Sequence, residues 1–347
     1  RFSVMEAAGT PPDVTDFYPA LAGSLITSGF FLDLAPWVQK TTSMTPNRFF
    51  ATATLEAVSY NGQLWSLPIY INPRVTYYNA DLFSNMGLLN PSQCGEAWTW
   101  DTWRASSRKL TRDTNGDGRN DQFGIDDLTY YLGWQQLIHQ AGGRMYDRLV
   151  APTKSQFLSS AVETAVDFAR RLMIEDRVTG GDFANGTAAT TTHKGPGILA
   201  SLQSAPFDWD IELQPQGPFS RAAAFGIGGF QIAANSQFAD AAFTWVAFLA
   251  LNRESATRYV QSTGRIPPLR AVQPDFRNLV PDLPHNWTAF SRTVEAANSF
   301  TLYVLTKKST EVNSVVNNIL AKVWRGELAT RIALESIHEQ VNALLQE

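Results

Sequence analysis

Stretches with helical spacing alternate with short β-rich runs along this chain, and that alternation restricts its fold more than any other feature. Val312, Val315, Val316, Ile319, Leu320, Val323 and Trp324 recur at intervals of three and four, and Ile332, Ile337, Val341, Leu344 and Leu345 do so beyond Gly326. Apolar residues at that spacing line one face of a helix, so two amphipathic helices are predicted to close the chain. Leu158, Val162, Ala165, Val166, Ala169, Leu172 and Met173 form a third, and the segment 239–260 is apolar enough for a helix set deep between layers. Strands are predicted at 64–70, 75–78, 211–214 and 224–234. This mixed order is the pattern of an α/β sheet protein. A chain of 347 residues also exceeds the roughly 250 to 300 residues that one hydrophobic core organises, so two lobes are expected.

Composition narrows the function. A formal net charge of -4 and the lack of any basic stripe speak against a nucleic-acid partner, and Lys307–Lys308 is the only notable basic pair near the carboxyl end. With a single cysteine, Cys94, the sequence has no internal disulfide and no thiol metal cluster. No run of about 18 apolar residues is present to span a membrane. Ten tryptophans and 12% aromatic residues suit flat apolar ligand faces as well as a tryptophan-rich core.

Signals of local structure are clear around Thr99. Thr99 is a good helix N-cap, Asp101 sits in the first turn where the helix dipole favours a carboxylate, and Trp98 is placed to staple onto Trp103. Gly226, Gly228 and Gly229 within a predicted strand imply a bend or a close backbone approach. Further on from Thr99, Asp113, Asn115, Asp117 and Asp121 occupy positions one, three, five and nine of a loop like that of an EF-hand, with Gly118 at the sharp turn. Position twelve is Gly124, so the closing bidentate acid is missing. The loop is either a polar turn or a calcium site completed by water or by Asp126 or Asp127. No other cofactor is expected. Catalytic patterns are absent: His139, His193, His285 and His338 lie far apart, and no nucleophile elbow or phosphate-binding glycine loop occurs. Carboxylates such as Asp13, Asp16, Glu56, Asp81 and Asp208 leave a glycosidase as the rival from another class.

Several of these segments stand in a suggestive order: PPDV ending at Val14, LPIYINP ending at Pro73, YYNADLF ending at Phe83, WTWD ending at Asp101, the acidic turn, GIGGF ending at Phe230, and GRIPPLR ending at Arg270. Taken together they resemble the extracellular solute-binding proteins of family 1, the sugar-capturing subunits of ABC importers. The resemblance implies a two-lobed α/β periplasmic-binding-protein fold, a Venus flytrap with an interlobe ligand cleft, in a chain that is no enzyme. Residues 1–80 and 224–290 are expected mainly in the amino-terminal lobe, and 81–223 and 291–347 mainly in the carboxyl-terminal lobe. Members normally carry a first strand and helix ahead of the PPDV segment, so the ligand contacts of that unit are not assigned, and a lipid anchor would belong there.

By the same resemblance the ligand site includes Phe17 and Tyr18 after PPDV, Tyr70 and Asn72 on one face of an extended strand, and Gly228, Gly229 and Phe230 at a loop whose backbone reaches the ligand. Tyr131 and Trp134 stand where relatives carry a stacking aromatic; packing of a helix start on the core is the alternative for both. One of Arg265 and Arg270 enters the cleft. Relatives often have a Trp at the turn occupied here by Gly195–Gly197, and His193 could fill part of that space. The implied partners are a mono- or oligosaccharide and a membrane permease, the implied location is periplasmic or extracellular, and the implied state is a monomer. A polyol or sugar phosphate is the alternative ligand.

Overall fold

In the computed structural model of this protein the described residues are 5, 9, 12–16, 25–41, 58–280, 284–296, 300–301 and 306–346. Their strands are β1 (Val14–Asp16), β2 (Ser59–Tyr60), β3 (Gln63–Leu64), β4 (Leu67–Pro73), β5 (Thr76–Asn79), β6 (Thr190–Thr191), β7 (Trp209–Glu212), β8 (Ala224–Ile232) and β9 (Phe300–Thr301). Strand β8 is the spine of the first sheet. Antiparallel β4 covers one edge, with Leu67 opposite Phe230 and Pro73 opposite Phe225. The other edge is shared by β1, antiparallel, and β9, parallel. A second sheet has β5 between β6 and β7. Strands β2 and β3 form a hairpin that turns at Asn61 and Gly62, both at positive φ as such a tight turn requires.

Each sheet has its own core. Leu67, Ile71, Phe225, Ile227, Phe243, Val246, Ile266 and Phe290 belong to the first, and Trp98, Trp103, Trp134, Ile138, Val166, Val316, Leu320 and Ile337 to the second. Phe183, Leu199, Leu202 and Ile211, which come from the 81–223 stretch, pack in the first core. Neighbouring side chains of an extended strand point to opposite faces, and β5 uses this to serve both cores: Tyr77 packs into the first and Tyr78 into the second.

The chain crosses between the two units three times among the described residues. Only Arg74 and Val75 separate β4 from β5; residues 213–223 lead from β7 back to β8; and the chain leaves β9 for the second-core helix Ser309–Trp324. The first two crossovers lie side by side, because the Arg74 N–H donates to the Ala224 carbonyl at 2.8 Å.

The helix Trp100–Leu110 opens with a reciprocal capping box between Thr99 and Thr102, and Trp98 and Trp103 are fully buried beside it. Helices Ser309–Trp324 and Thr330–Gln346 bury the predicted apolar faces. The 239–260 segment departs from expectation in two ways. It is two helices, Ala239–Leu251 and Arg253–Thr263, because Asn252 adopts an extended conformation and its side chain caps the second by accepting from Ser255 N–H. Nor is the first helix enclosed: Trp245 is 49% and Phe248 52% exposed. The three glycines of β8 cause no break in that strand. The irregularity falls on its partner β4, as a register shift between Pro68 and Tyr70.

Candidate functional site

Strand β4 brings Tyr70 opposite Gly228 of β8. The ring lies so close to that backbone that a Cβ at residue 228 would sit 2.0 Å from Tyr70 Cζ, so only glycine allows the ring its place. On the ring stands the guanidinium of Arg265, 4.2 Å from its centroid, a cation–π contact. Tyr259, on the helix Arg253–Thr263, stacks with Tyr70 at 6.2 Å and 12° between planes, and its hydroxyl accepts a hydrogen bond from Arg265 Nη1 at 3.1 Å. The end of β1 adds Asp16 within electrostatic reach of Arg265. Burial raises the Asp16 carboxyl above its ordinary range and Arg265 pulls it part of the way back. Burial disfavours the Arg265 charge, but the bond to Tyr259 together with the charges of Tyr259, Tyr70 and Asp16 outweighs it, so the guanidinium stays charged. Two tyrosines, an arginine and an aspartate thus converge from β1, β4, the helix Arg253–Thr263 and the residues just after it.

A second polar group adjoins the crossovers. Asn72 and the buried Arg74 extend from the end of β4 against Gly195: a Cβ there would lie 2.0 Å from Asn72 Oδ1 and 2.4 Å from Arg74 Nη1. Asn72 Oδ1 is itself buried and accepts no hydrogen bond among the described residues, a costly state for a carbonyl oxygen unless something donates to it. Two residues before Gly195, His193 faces Asp126 with Nδ1 3.4 Å from Oδ1, both nearly fully buried. Burial pushes the Asp126 carboxyl up to about 8. Burial first, then the charges of Lys194 and Arg74, push His193 down to about 3. At neutral pH Asp126 therefore keeps its proton and His193 is neutral, so the pair carries no net charge. The exposed Tyr130 ring packs on His193 at 5.4 Å, and Tyr131 packs on Tyr130 at 4.7 Å.

The remaining expected residues take the following places. Trp134 is 2% exposed and packs in the second core near Trp324, with ring centroids 6.4 Å apart; no face of its ring is open, because the helix Tyr131–Gln140 is buried along most of its length. Half-buried Tyr131 opens that helix. Gly229 and Phe230 lie in β8, and Phe230 packs on Trp245 at 5.4 Å. Arg270 is exposed at the start of a 3-10 turn. Phe17 and Tyr18 lie outside the described residues.

The acidic loop is exposed and closes on its own amides. Asp113 accepts from Gly116 and Gly118 N–H at 2.6 and 2.7 Å, Asn115 from Asp117 N–H, Asp117 from Arg119 N–H, and Asp121 from the Thr114 N–H and hydroxyl. Among the described residues no three His, Cys, Asp or Glu side chains converge as a metal-holding group.

Sequence reasoning missed Tyr259, Arg74 and Tyr130, and read Asp126 only as a neighbour of the acidic loop. Arg74 had a signal, since it directly follows the LPIYINP strand at the passage between sheets. Tyr259 had none, as its partner Arg265 lies beyond the helix end and no periodicity links the two to Tyr70.

Comparison with known proteins places this architecture. The family described as bacterial extracellular solute-binding protein matches residues 1–290. An ABC substrate-binding protein of Listeria monocytogenes, solved in complex with cycloalternan, superimposes with a TM-score of 0.86 at 21% identity, covering 99% of this chain and 88% of that one. A cyclic α-maltosyl-1,6-maltose binding protein of Arthrobacter globiformis gives 0.80 at 19% identity over 99% and 87%. The sn-glycerol-3-phosphate-binding periplasmic protein of Pectobacterium atrosepticum is 25% identical over 319 residues, 82% of this chain and 67% of its own length. The two sheets and two cores are accordingly the lobes of a periplasmic-binding-protein fold, and the family matched, like these neighbours, consists of binding proteins.

Proposed function

Because the chain belongs to the bacterial extracellular solute-binding protein family, we propose that it captures a mono- or oligosaccharide in the cleft between its lobes and delivers it unchanged to the membrane permease of an ABC importer. The family match over residues 1–290 carries this reading. The solved neighbours with cycloalternan and a cyclic maltosyl-maltose in their descriptions favour a sugar. The chemistry of the Tyr70 cluster and of Asn72 agrees with it. A sugar presents apolar C–H faces and a rim of hydroxyls, which aromatic rings, a fixed guanidinium, a carboxylate and an amide answer. Asn72 Oδ1, buried without a donor among the described residues, is a ready acceptor for one such hydroxyl. A solute touching both lobes binds the closed arrangement better than the open one and shifts the population toward it, which gives the permease a state to recognise.

In this reading the protein is a monomer outside the cytoplasmic membrane, in the periplasm or held at the cell surface by a lipid anchor. No helix among the described residues is long and apolar enough to cross a membrane. A thermal-shift screen over mono- and oligosaccharides, polyols and sugar phosphates tests the proposal. A sugar at a hundred times its Kd stabilises by about 2.7 kcal/mol. Silence across the sugars from folded protein overturns the reading, and a shift with polyols or sugar phosphates alone redirects it. Mass spectrometry of the sugar after long incubation must return it intact; cleavage would make the protein a hydrolase.

A further inference from the structure

The passage from β7 to β8 is held by buried carboxamides from one face of the helix Tyr131–Gln140. Gln140 Nε2 donates to the Ala222 carbonyl at 3.0 Å, while its Oε1 accepts from Trp100 Nε1 at 2.6 Å. The Gln140 carbonyl takes the N–H groups of Phe219 and Ser220. One helical turn earlier, on the same face, Gln136 spans two segments: its Oε1 accepts from Ala224 N–H at 3.2 Å and its Nε2 donates to the Thr192 carbonyl at 2.8 Å. Gln214, inside the passage, donates to that same carbonyl at 2.8 Å. All three glutamines are 1% exposed.

The two partners of Gln136 matter for what they adjoin. Ala224 opens β8 in the first lobe's sheet and accepts from Arg74 in the neighbouring crossover. Thr192 leads into His193 and Gly195, against which Asn72 and Arg74 rest. We propose that Gln136 is a positioning residue for solute binding, whose single carboxamide couples the crossover at 222–224 to the 192–195 segment, so that the bend between the lobes and the seat of Asn72 on Gly195 change together. The inference rests on the two-lobed binding reading. In a dry site an amide with both ends bonded resists partial displacement, since each broken bond leaves a buried group unpaired. Movement of one segment therefore carries the other with it, and the backbone of the crossovers takes up the change in φ and ψ.

Hydrogen exchange of the solute-free protein, followed by mass spectrometry, tests the coupling without requiring a known ligand. Gln136→Met keeps the side-chain length and removes both bonds; Gln214→Met removes only one donor to Thr192. In Gln136→Met, exchange should rise about tenfold both at Ala224 and across 192–198, with the helices of the two cores unchanged. In Gln214→Met it should rise across 192–198 alone. Exchange at the wild-type rate in either segment of Gln136→Met, or a uniform rise over the whole chain, overturns the proposal. Should Gln136→Met not fold, Gln136→Asn, whose carboxamide is one methylene too short to reach both partners, is read by the same criteria. With a sugar that passes the stability screen, Gln136→Met should bind at least about fivefold more weakly, with unchanged affinity counting against the coupling. A screen in which no sugar binds counts against the sugar reading alone, because the exchange pattern is measured without one.

Discussion

The guanidinium of Arg265 rests on the ring of Tyr70, 4.2 Å from its centroid, and is steadied there by the hydroxyl of Tyr259. The Tyr70 ring, 6% exposed, thus serves as a platform for a cation, and a solute would meet the arginine and the edge of the ring instead of a bare aromatic face. Tyr70→Ala removes that support and is expected to weaken sugar binding by about 1 to 3 kcal/mol, as is Asn72→Ala, whereas Tyr70→Phe keeps the cation–π contact and most of the affinity. Titration calorimetry with a sugar from the screen, beside circular dichroism to check folding, decides the matter. Wild-type affinity in Tyr70→Ala would remove this cluster from the site.

Two glycines test close approach in different ways. A Cβ at Gly229 would fall 2.0 Å from the carbonyl oxygen of Leu67, a backbone atom held in the sheet, whereas one at Gly195 meets the far ends of the Asn72 and Arg74 side chains. Overpacking against backbone has no cheap relief, so Gly229→Ala should cost about 1 to 3 kcal/mol. Gly195→Ala should cost less in stability and more in binding, because it pushes Asn72 and Arg74 aside. Urea melts of both variants measure the first expectation and calorimetry the second; equal stability losses would refute the distinction.

The Asp126–His193 pair gives a pH dependence whose sign follows from the directions of its shifts. Unfolded, the carboxyl loses its proton near the ordinary 3.8 and the imidazole near 6.5; folded, the carboxyl keeps its proton to about 8 and the imidazole loses its own by about 3. Between about pH 4 and 6.5 both states hold one proton on the pair, so its contribution is level. From about 6.5 to 8 the folded state holds the extra proton, and stability falls as pH rises. Asp126→Asn should abolish that fall and leave a rise toward pH 6.5 from the imidazole. Melting midpoints of both proteins from pH 5 to 8.5 measure it, and parallel curves above pH 6.5 would exclude Asp126 as the source.

The acidic loop is expected to hold its shape without calcium, since Asp113 and Asp121 already bind loop amides and burial contributes little there. The Thr114 N–H and hydroxyl hold the Asp121 carboxyl below its ordinary range. Chelation should therefore leave the melting temperature unchanged, while Asp113→Ala should lower it with or without chelator. A chelator-dependent drop in the unaltered protein would instead make this loop a calcium site.

How much of this was legible in the residues depends on the distance over which each signal acts. The N-cap at Thr99, the packing of Trp98 with Trp103, and the last two helices were readable because caps and helical periodicity operate within a turn or two. The break at Asn252 was readable in principle, as an asparagine three residues before Ser255, but the apolar run around it masked the cap. Trp134 could not be sorted between ligand platform and core by sequence, since both uses ask for the same ring on the same helical face. Helix Tyr131–Gln140 settles it by being buried on nearly every side.

An α/β chain of two lobes and the glycines that let strands approach were legible in periodicity, length and local order, and the ordered segments from PPDV to GRIPPLR carried the resemblance to the family. Strand alternation placed Tyr70 and Asn72 on one face of β4. What covers that face came from packing alone, with Arg265 and Tyr259 over Tyr70 and Gly195 against Asn72, as did the place of Gln136 between Thr192 and Ala224. Those contacts join segments far apart in the chain, and their partners are chosen by the packing of helices onto two sheets, which no pattern within one segment encodes.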